Sequence, residues 1–273
     1  MPAGRSYERR IRAKRDAARA ARKHQERVRK LRIGLSAAAA VGVAIVLLVV
    51  FLTNGKPVKP TAGPTSSPSP TASPIAGCTE PSPVPTPNGK QFAKPPKMTI
   101  DKTKVYIATM RTSCGDIKIK LDPKLAPTTV NNFVFLANQH FFDGTVFHRV
   151  QNIPGDYAIV QGGDPQGTGS GGPGYKYKGE TPPATAQYSR GVIAMANSGD
   201  PSSNGSQFFF VVHAWPALPK NYTIFGNVGD ATSLAALDRM ITAKGPDLGQ
   251  GLGLKPTPPI FILKVTVQVL KAG

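Results

Sequence analysis

Beyond Met98 the chain consists of short runs in which apolar and polar residues alternate, the pattern of half-buried β-strands. The first two runs flank a turn at residues 113–116 and predict a hairpin. Two other segments repeat apolar residues at helical spacing, 126–141 and 233–243. Many short strands with two helices predict a mainly β fold, a closed antiparallel β-barrel capped by two α-helices. The predicted strands are 105–108, 117–121, 145–150, 158–161, 191–196, 207–212, 223–228 and 261–270.

Upstream, residues 33–52 form an apolar run without a charged side chain, about the length that a helix needs to cross a bilayer. The Lys and Arg cluster just before it favours a cytoplasmic amino terminus, with everything after Leu52 outside the membrane. A cleaved signal peptide is the alternative, but its shorter apolar region ends at a small-residue site, whereas Thr-Asn-Gly-Lys follows here. We therefore predict one uncleaved transmembrane helix, and a cell-membrane protein whose folded domain is extracytoplasmic.

The basic tail, residues 1–32, accounts for much of the formal net charge of +19. Residues 98–273 hold sixteen basic and eleven acidic residues, a net charge of only +5, so the domain itself is mildly charged. Beside a membrane, each basic residue near anionic headgroups adds about 1 kcal/mol of attraction. We expect the tail to contact anionic membrane lipids and expect no nucleic-acid partner; binding of RNA or DNA by the basic tail is the alternative.

Residues 53–97 are dominated by Pro, Ser, Thr and Lys, a composition with too few apolar side chains to offset the entropy of ordering. We predict a disordered, extended linker that holds the domain at residues 98–273 away from the membrane. Both cysteines of the chain, Cys78 and Cys114, lie outside the membrane in this topology. An oxidising exterior allows a disulfide between them, and two independent thiols are the alternative.

Five short motifs place one fixed cation, two carboxamides and several apolar side chains in the second half of the chain. They are FHRV at 147–150, QGGDP at 161–165, AMAN at 194–197, NGSQFF at 204–209 and YTIFG at 222–226. In this order the motifs resemble the cyclophilin family of peptidyl-prolyl cis-trans isomerases, along residues 104–270. The resemblance implies an eight-stranded barrel, rotation about X-Pro bonds, proline-containing polypeptides as substrates and no cofactor. We expect a monomeric catalytic domain.

The same resemblance implies a role for each motif residue. Arg149 would donate to the prolyl nitrogen, which becomes an acceptor as the amide twists. Gln161 would hold both Arg149 and the substrate carbonyl, and Asn197 would fix the substrate backbone. These three are the predicted catalytic residues. The predicted substrate-binding residues form an apolar floor and the groove beside it: Phe147, Ile159, Met195, Ala196, Gln207, Phe209, Leu218 and Tyr222.

The chain departs from the family pattern between Arg149 and Gln161, where the spacing is about four residues longer than usual. The aromatic wall residue expected there is therefore either Tyr157 or Ala158. Counting back from Phe225-Gly226 places Ala217 where many eukaryotic members carry Trp. These departures leave one alternative function open, a proline-peptide-binding scaffold at the membrane surface with weak turnover.

Counting back from Phe225-Gly226 also assigns two aromatic residues relative to the family pattern. Tyr222 stands where eukaryotic members carry His, a change familiar among bacterial members. Trp215 lies two residues out of register with the missing Trp, so we do not expect it to act as a substitute.

Other chemistries find little support in the sequence. The histidines have no metal-ligand spacing from Cys, His or paired carboxylates, so no metal site is predicted. The GxGxxG match at 167–172 is followed by Pro-Gly instead of a helix, which indicates a loop. No serine lies in a GxSxG elbow, which argues against a hydrolase of that class.

Overall fold

The structure is a computed structural model that describes residues 74–271. The predicted basic tail and transmembrane segment, and the linker as far as residue 73, lie outside this range. Among the described residues no helix has the length and apolar character to span a bilayer. The helices are α1 (Pro127–Asn138) and α2 (Ala231–Met240). The strands are β1 (Val105–Thr112), β2 (Gly115–Leu121), β3 (Val146–Phe147), β4 (Arg149–Asn152), β5 (Ala158–Gly162), β6 (Val192–Met195), β7 (Phe208–His213), β8 (Ile224–Asn227) and β9 (Ile260–Leu270).

The strands form one antiparallel sheet in the order β3-β9-β1-β2-β8-β6-β7-β5-β4. Only His148 separates β3 from β4, so the two ends of this order are consecutive pieces of one stretch of chain. Because β3 pairs with β9 and β4 pairs with β5, the sheet curls into a nearly closed barrel. The prediction of a mainly β, antiparallel barrel with two helices is confirmed, and the predicted strand at 145–150 is found as two pieces.

Alternation along the strands builds two apolar clusters, one on each side of the sheet. In β7, Phe208 and Phe210 join the cluster inside the barrel, whereas Phe209 and Val211 join a smaller cluster on its outer surface. The unbroken apolar run at residues 208–212 therefore forms a strand, β7, whose two faces are both covered by apolar side chains. The outer cluster lies over β5, β6 and β7, and the candidate site is built on it.

Helix α1 begins at the predicted place, although no side chain at its N-cap position caps it. The carboxylate of Glu180 does so instead, since it accepts from the Thr128 N–H at 2.6 Å and from the Thr129 hydroxyl at 2.8 Å. A negative charge there also suits the positive end of the helix dipole. The helix ends at Asn138, so Phe141, which the sequence places on its apolar face, lies beyond it but is still buried.

Helix α2 begins at Ala231, two residues before the predicted Ser233. Asp230 caps it, because its carboxylate accepts from the Ser233 N–H at 2.9 Å. The Ser233 hydroxyl in turn accepts from the Lys118 N–H at 2.9 Å, which ties the start of the helix to β2.

Residues 74–97, here called the amino-terminal strap, lie against the barrel without forming helix or strand. The Phe92 ring packs edge-on against Phe135 at 5.0 Å, and the Phe92 N–H donates to the Pro173 carbonyl at 2.8 Å. The Asn88 amide donates to the His140 carbonyl at 2.7 Å. This part of the chain differs from the predicted disordered linker, because a few well-placed side chains anchor a backbone whose proline content excludes regular structure.

A disulfide joins the strap to the first hairpin, through Cys78 and Cys114. Cys114 is 1% exposed in the β1–β2 turn, and the Thr79 N–H donates to the Ser113 carbonyl at 2.7 Å beside it. Of the two alternatives that the sequence left open, the structure contains the bridge.

Candidate active site

A cavity of about 250 Å³ opens on the outer surface of the barrel, above the outer apolar cluster. Eight of the eleven predicted site residues line it, and two further residues, Trp215 and Leu252, complete it. The predicted residues that line the cavity are Arg149, Ile159, Gln161, Ala196, Asn197, Phe209, Leu218 and Tyr222.

Arg149 and Gln161 meet because their strands pair in register, Arg149 in β4 opposite Gln161 in β5. The Arg149 Nη1 donates to Gln161 Oε1 at 3.0 Å, and its Nε donates to the Leu252 carbonyl at 2.5 Å. Its Nη2 donates to Gln151 Oε1. All three acceptors are neutral oxygens, and no acidic side chain among the described residues forms a salt bridge with Arg149. The guanidinium is thus held in place with its charge uncompensated.

Burial sets the electrostatics of this guanidinium. Desolvation disfavours the charged form and lowers the pKa of Arg149, while Tyr157 and Tyr222 raise it slightly. An arginine side chain nevertheless stays protonated in proteins. The site therefore contains a permanent, partly desolvated cation beside an apolar cavity.

A chain of carboxamides continues from the arginine. Gln161 Nε2 donates to Gln207 Oε1 at 3.0 Å, and Gln207 Nε2 donates to the carbonyls of Gly169 and Gly171 at 3.0 and 2.9 Å. Each amide accepts on one side and donates on the other, so the orientation of one side chain determines the next. Gln207 lies in a neighbouring cavity of about 270 Å³, which shares Gln161, Ala196 and Asn197 with the first.

Asn197 lines the cavity, but its side chain is used within the protein. Its amide donates to the Asn221 carbonyl at 2.9 Å and to Asn204 Oδ1 at 3.2 Å, and its Oδ1 accepts from the Gly199 N–H at 2.9 Å. No hydrogen bond within residues 74–271 uses the backbone N–H or carbonyl of Asn197. These backbone groups are the ones left to meet a ligand.

The floor of the cavity is apolar, with Ile159, Phe209 and Leu218 buried and Tyr222 partly buried. The Phe209 and Tyr222 rings meet edge to face at 5.8 Å, which fixes the orientation of both. Such a floor accepts a compact apolar group such as a pyrrolidine ring.

Two predicted floor residues are placed elsewhere, and the prediction for them is corrected. Phe147 and Met195 are each 1% exposed and belong to the cluster inside the barrel. In β6 the alternation sends Met195 inward and its neighbours Ala194 and Ala196 outward. For Phe147, the break at His148 separates it from Arg149 and lets the two residues face opposite sides of the sheet.

Three residues at the cavity were missed by the sequence analysis. Trp215 lines it after all, and its ring stacks on Tyr157 at 3.7 Å with 3° between the planes. Of the two alternatives for the aromatic wall, Ala158 is buried inside the barrel, and Tyr157 supports the wall by backing Trp215. Leu252 and Gln151 complete the surroundings of Arg149, and no motif or spacing in the sequence marks either of them.

His148 lies directly behind the site and is 5% exposed. Burial lowers its pKa to about 4, against an opposing effect of nearby Asp164. The buried Asp164 carboxylate accepts from the backbone N–H groups of Gln166, Gly169 and Gly171, at 2.6 to 3.1 Å, and so shapes the loop that Gln207 contacts. The lowered pKa favours the neutral form of His148, and the buried ring has a structural place in the barrel.

Residues 74–271 contain no group of three or more His, Cys, Asp or Glu side chains that could hold a metal ion. What the cavity offers is a fixed cation, oriented carboxamides, free backbone groups and an apolar floor. This set can bind a peptide and stabilise a redistribution of charge within it, without any covalent step.

Comparison with known proteins identifies this arrangement. Residues 107–267, more than half of the chain, match the family model for cyclophilin type peptidyl-prolyl cis-trans isomerases. The chain belongs to the cyclophilin family. It is a peptidyl-prolyl cis-trans isomerase, and proline-containing peptides are the substrates that this family implies.

Individual relatives agree with the family assignment. Peptidyl-prolyl cis-trans isomerase A of Mycobacterium tuberculosis is 43% identical over 175 residues, which cover 59% of this chain and 91% of that protein. Peptidyl-prolyl cis-trans isomerase B of Streptomyces anulatus is 43% identical over 146 residues, covering 48% of this chain and 81% of that protein. Both matches leave a large part of this cyclophilin uncovered.

Among solved structures, a cyclophilin type peptidyl-prolyl cis-trans isomerase of Cryptosporidium parvum superposes with a TM-score of 0.51 at 31% identity. The superposition covers 60% of this chain and 98% of that one. A crystal structure of the same parasite protein in the presence of the dipeptide Ala-Pro superposes with a TM-score of 0.50 at 32% identity.

Proposed function

We propose that Arg149 is the catalytic residue of this isomerase and that it acts by donating to the prolyl nitrogen of a twisting X-Pro bond. Rotation about that bond has a barrier of about 18 to 20 kcal/mol because amide resonance is lost. As the resonance is lost, the nitrogen becomes pyramidal and gains a lone pair, which a cation with N–H donors stabilises. The contact is stronger in the transition state than in the planar substrate, which is the condition for catalysis.

The observation that carries this proposal is the uncompensated guanidinium at the rim of an apolar cavity. A guanidinium has five N–H donors, and the three hydrogen bonds to neutral oxygens leave two of them without an acceptor among residues 74–271. Those three hydrogen bonds fix the plane of the group before substrate arrives. Because no carboxylate neutralises it among the described residues, its field is available to the electron pair that develops on the substrate nitrogen.

The rest of the cavity supports the same assignment. The proline ring would rest on Ile159, Phe209 and Leu218, and the backbone groups of Asn197 would pair with the substrate main chain. Gln161 would orient Arg149 and meet the substrate carbonyl. The role of Asn197 thereby passes from its carboxamide, which the protein already uses, to its backbone.

The test is a protease-coupled isomerisation assay on the full chain. Arg149→Ala should lower kcat/KM by about 100-fold, the order seen when one preorganised donor is removed from an active site. Arg149→Lys keeps the charge but loses the planar fork of donors. Its kcat/KM should lie between those of the wild type and Arg149→Ala. The matched control is Arg111→Ala, which removes an exposed arginine from β1 and should leave turnover unchanged.

Two results would contradict the proposal. One is wild-type turnover by a correctly folded Arg149→Ala variant, as judged by circular dichroism. The other is tight peptide binding by the wild-type chain without acceleration, which would favour the scaffold alternative.

We further propose that the enzyme acts on secreted or cell-surface polypeptides while tethered to the membrane by residues 33–52. The apolar run and the basic tail before it support this topology, and so does the disulfide between Cys78 and Cys114, since disulfides persist in oxidising compartments. The tail would then lie against anionic lipids on the cytoplasmic side.

Topology can be tested with alkaline phosphatase fusions, because this reporter needs export to become active. A fusion after residue 60 should be active, and a fusion after residue 30 should be inactive. Deletion of residues 33–52 should abolish the activity of the downstream fusion. Activity that survives the deletion, or an inactive downstream fusion in the intact chain, would contradict the proposed location.

A further inference from the structure

Gln151 lies two residues after Arg149, at the start of the segment in which this chain is longer than its family pattern. It belongs to β4 and is 4% exposed. Its Oε1 accepts from Arg149 Nη2, and its Nε2 donates to the Gly251 carbonyl. One side chain therefore joins the guanidinium to a loop 100 residues further along the chain.

That loop, residues 249–253, has an unusual backbone. Gly249, Gln250 and Gly251 are consecutive residues with positive φ, at 75°, 53° and 71°, and Gly253 follows at 92°. Left-handed backbone of this kind costs little for glycine and is strained for most other residues. Through it the carbonyls of residues 251 and 252 both reach side chains of β4.

The loop is docked on β4 by its backbone as well. Val150 and Leu254 exchange two hydrogen bonds, at 2.9 and 2.8 Å. A Cβ atom on Gly253 would lie 2.2 Å from the Val150 carbonyl oxygen, so the close approach needs glycine there. The distance between the loop and Arg149 is therefore determined by β4 itself.

From these contacts we propose that Gln151 is a positioning residue for Arg149, and that loop 249–253 is a wall of the active site which Gln151 holds in place. The inference rests on the proposed role of Arg149. Gln161 holds one side of the guanidinium, the Leu252 carbonyl holds its Nε, and Gln151 holds the remaining nitrogen. Without Gln151, Nη2 loses its acceptor and the loop loses its side-chain anchor, so the plane of the fork is no longer fixed at the cavity.

Two substitutions of Gln151 test its contacts, and one substitution at the next residue serves as the control. Gln151→Met has nearly the same shape but neither donates nor accepts as an amide does. Gln151→Glu keeps an acceptor for Arg149, loses the donor to Gly251 and places a negative charge beside the guanidinium. The matched control is Asn152→Ala, a change at the next residue, whose exposed side chain makes only a 3.4 Å contact with the Ile241 carbonyl.

The measurement is kcat and KM separately, on the full chain, with a short proline peptide supplied as a solution enriched in the cis isomer. We expect Gln151→Met to lower kcat by about tenfold with less than a twofold change in KM, the loss of one hydrogen bond to a charged group. Gln151→Glu should also lower kcat, because its carboxylate would compensate the charge of Arg149 on which the proposed function depends. Asn152→Ala should match wild type.

Gln151→Met in an Arg149→Lys background distinguishes positioning of the guanidinium from a general structural effect. A lysine has no fork to orient, so Gln151→Met should change kcat there by less than about twofold. An equal loss in both backgrounds, or no loss in either, would overturn the inference. If Arg149→Ala is inactive while Gln151→Met is fully active, the inference alone fails. If Arg149→Ala is fully active, the proposed function fails and the inference with it.

A second variant covers the case in which Gln151→Met does not fold. Gly251→Ala adds one methyl group in open space at positive φ, and Gly89→Ala does the same in the amino-terminal strap, away from the site. Both should lower stability to a similar degree. Only Gly251→Ala should lower kcat, and equal kcat for the two variants would contradict a positioning role for the loop.

Discussion

His148 makes the stability of the fold depend on pH. Its ring is buried between β3 and β4, and its Nδ1 has no hydrogen-bond partner among residues 74–271. Burial disfavours the imidazolium and lowers the pKa of His148 from 6.5 to about 4; Asp164 opposes this shift, while Arg149 and Lys255 add to it. The unprotonated ring is therefore the form that the folded protein accepts.

The sign and size of the effect follow from proton linkage. In the unfolded chain the pKa of His148 returns to 6.5, so at lower pH the unfolded state binds a proton that the folded state does not. The stability associated with the neutral ring is fully present above about pH 7 and is lost as the pH falls toward 4. The two pKa values correspond to a loss of roughly 1 kcal/mol at pH 5.5 and roughly 2 to 3 kcal/mol at pH 4.5.

Urea unfolding of the full chain at pH 7.5, 5.5 and 4.5 measures this loss. The chain has one tryptophan, Trp215, whose fluorescence reports on the site, and circular dichroism follows the barrel independently. The control is His148→Gln, which keeps a polar side chain but does not titrate. The reasoning is refuted if the free energy of unfolding falls by the same amount with pH in the wild type and in His148→Gln.

Two further predictions concern the cavity wall and the strap. Trp215→Ala removes the stacked wall and should raise KM about fivefold, with a smaller change in kcat. The control is Ala217→Ser, at the exposed position where many eukaryotic members carry Trp, and it should leave both constants unchanged. Equal effects of the two substitutions would contradict the placement of Trp215. The disulfide closes a loop with a sequence separation of 36, so Cys78→Ala/Cys114→Ala should lower the free energy of unfolding by about 4 kcal/mol in urea titrations. Reductant should destabilise the wild type alone, and insensitivity of the wild type would count against this prediction.

Local sequence was sufficient to predict the positions of the strands and to identify Arg149 and Gln161 as the central pair of the site. Alternation of period two depends only on neighbouring residues, so it placed the strands to within a few residues. Arg149 and Gln161 were recognised through their motifs, and they meet because antiparallel neighbours in direct register share a face. Alternation in β6 could also have excluded Met195 from the cavity, since it faces away from Ala194 and Ala196.

The error at Phe147 has a different cause. Phe147 and Arg149 would share a face in a continuous strand, but the chain leaves the sheet geometry at His148 and resumes with the opposite facing. The residue pattern of this stretch does not show the break, because residues 145–150 contain no Gly or Pro that would mark an interruption of the strand.

The strap is a similar case. Its composition correctly indicated a segment without helix or strand, and the structure agrees with that. Whether such a segment binds the barrel depends on complementary surfaces elsewhere, here the aromatic surface that receives Phe92 and the turn that contains Cys114. Composition describes the average tendency of a segment and not the one contact that anchors it.

By itself, then, the sequence of this cyclophilin determined which segments are strands or helices, which family chemistry they carry, and that a cation and carboxamides meet on one sheet. Only the tertiary structure decided what surrounds that cation. Trp215 comes from a loop, Gln151 from the longer segment after Arg149, and Leu252 from a loop 103 residues after Arg149. The physical reason is that hydrophobic periodicity and turn chemistry are local, whereas the walls of a cavity are made by chain segments whose approach is set by barrel closure and by the backbone conformation of distant loops.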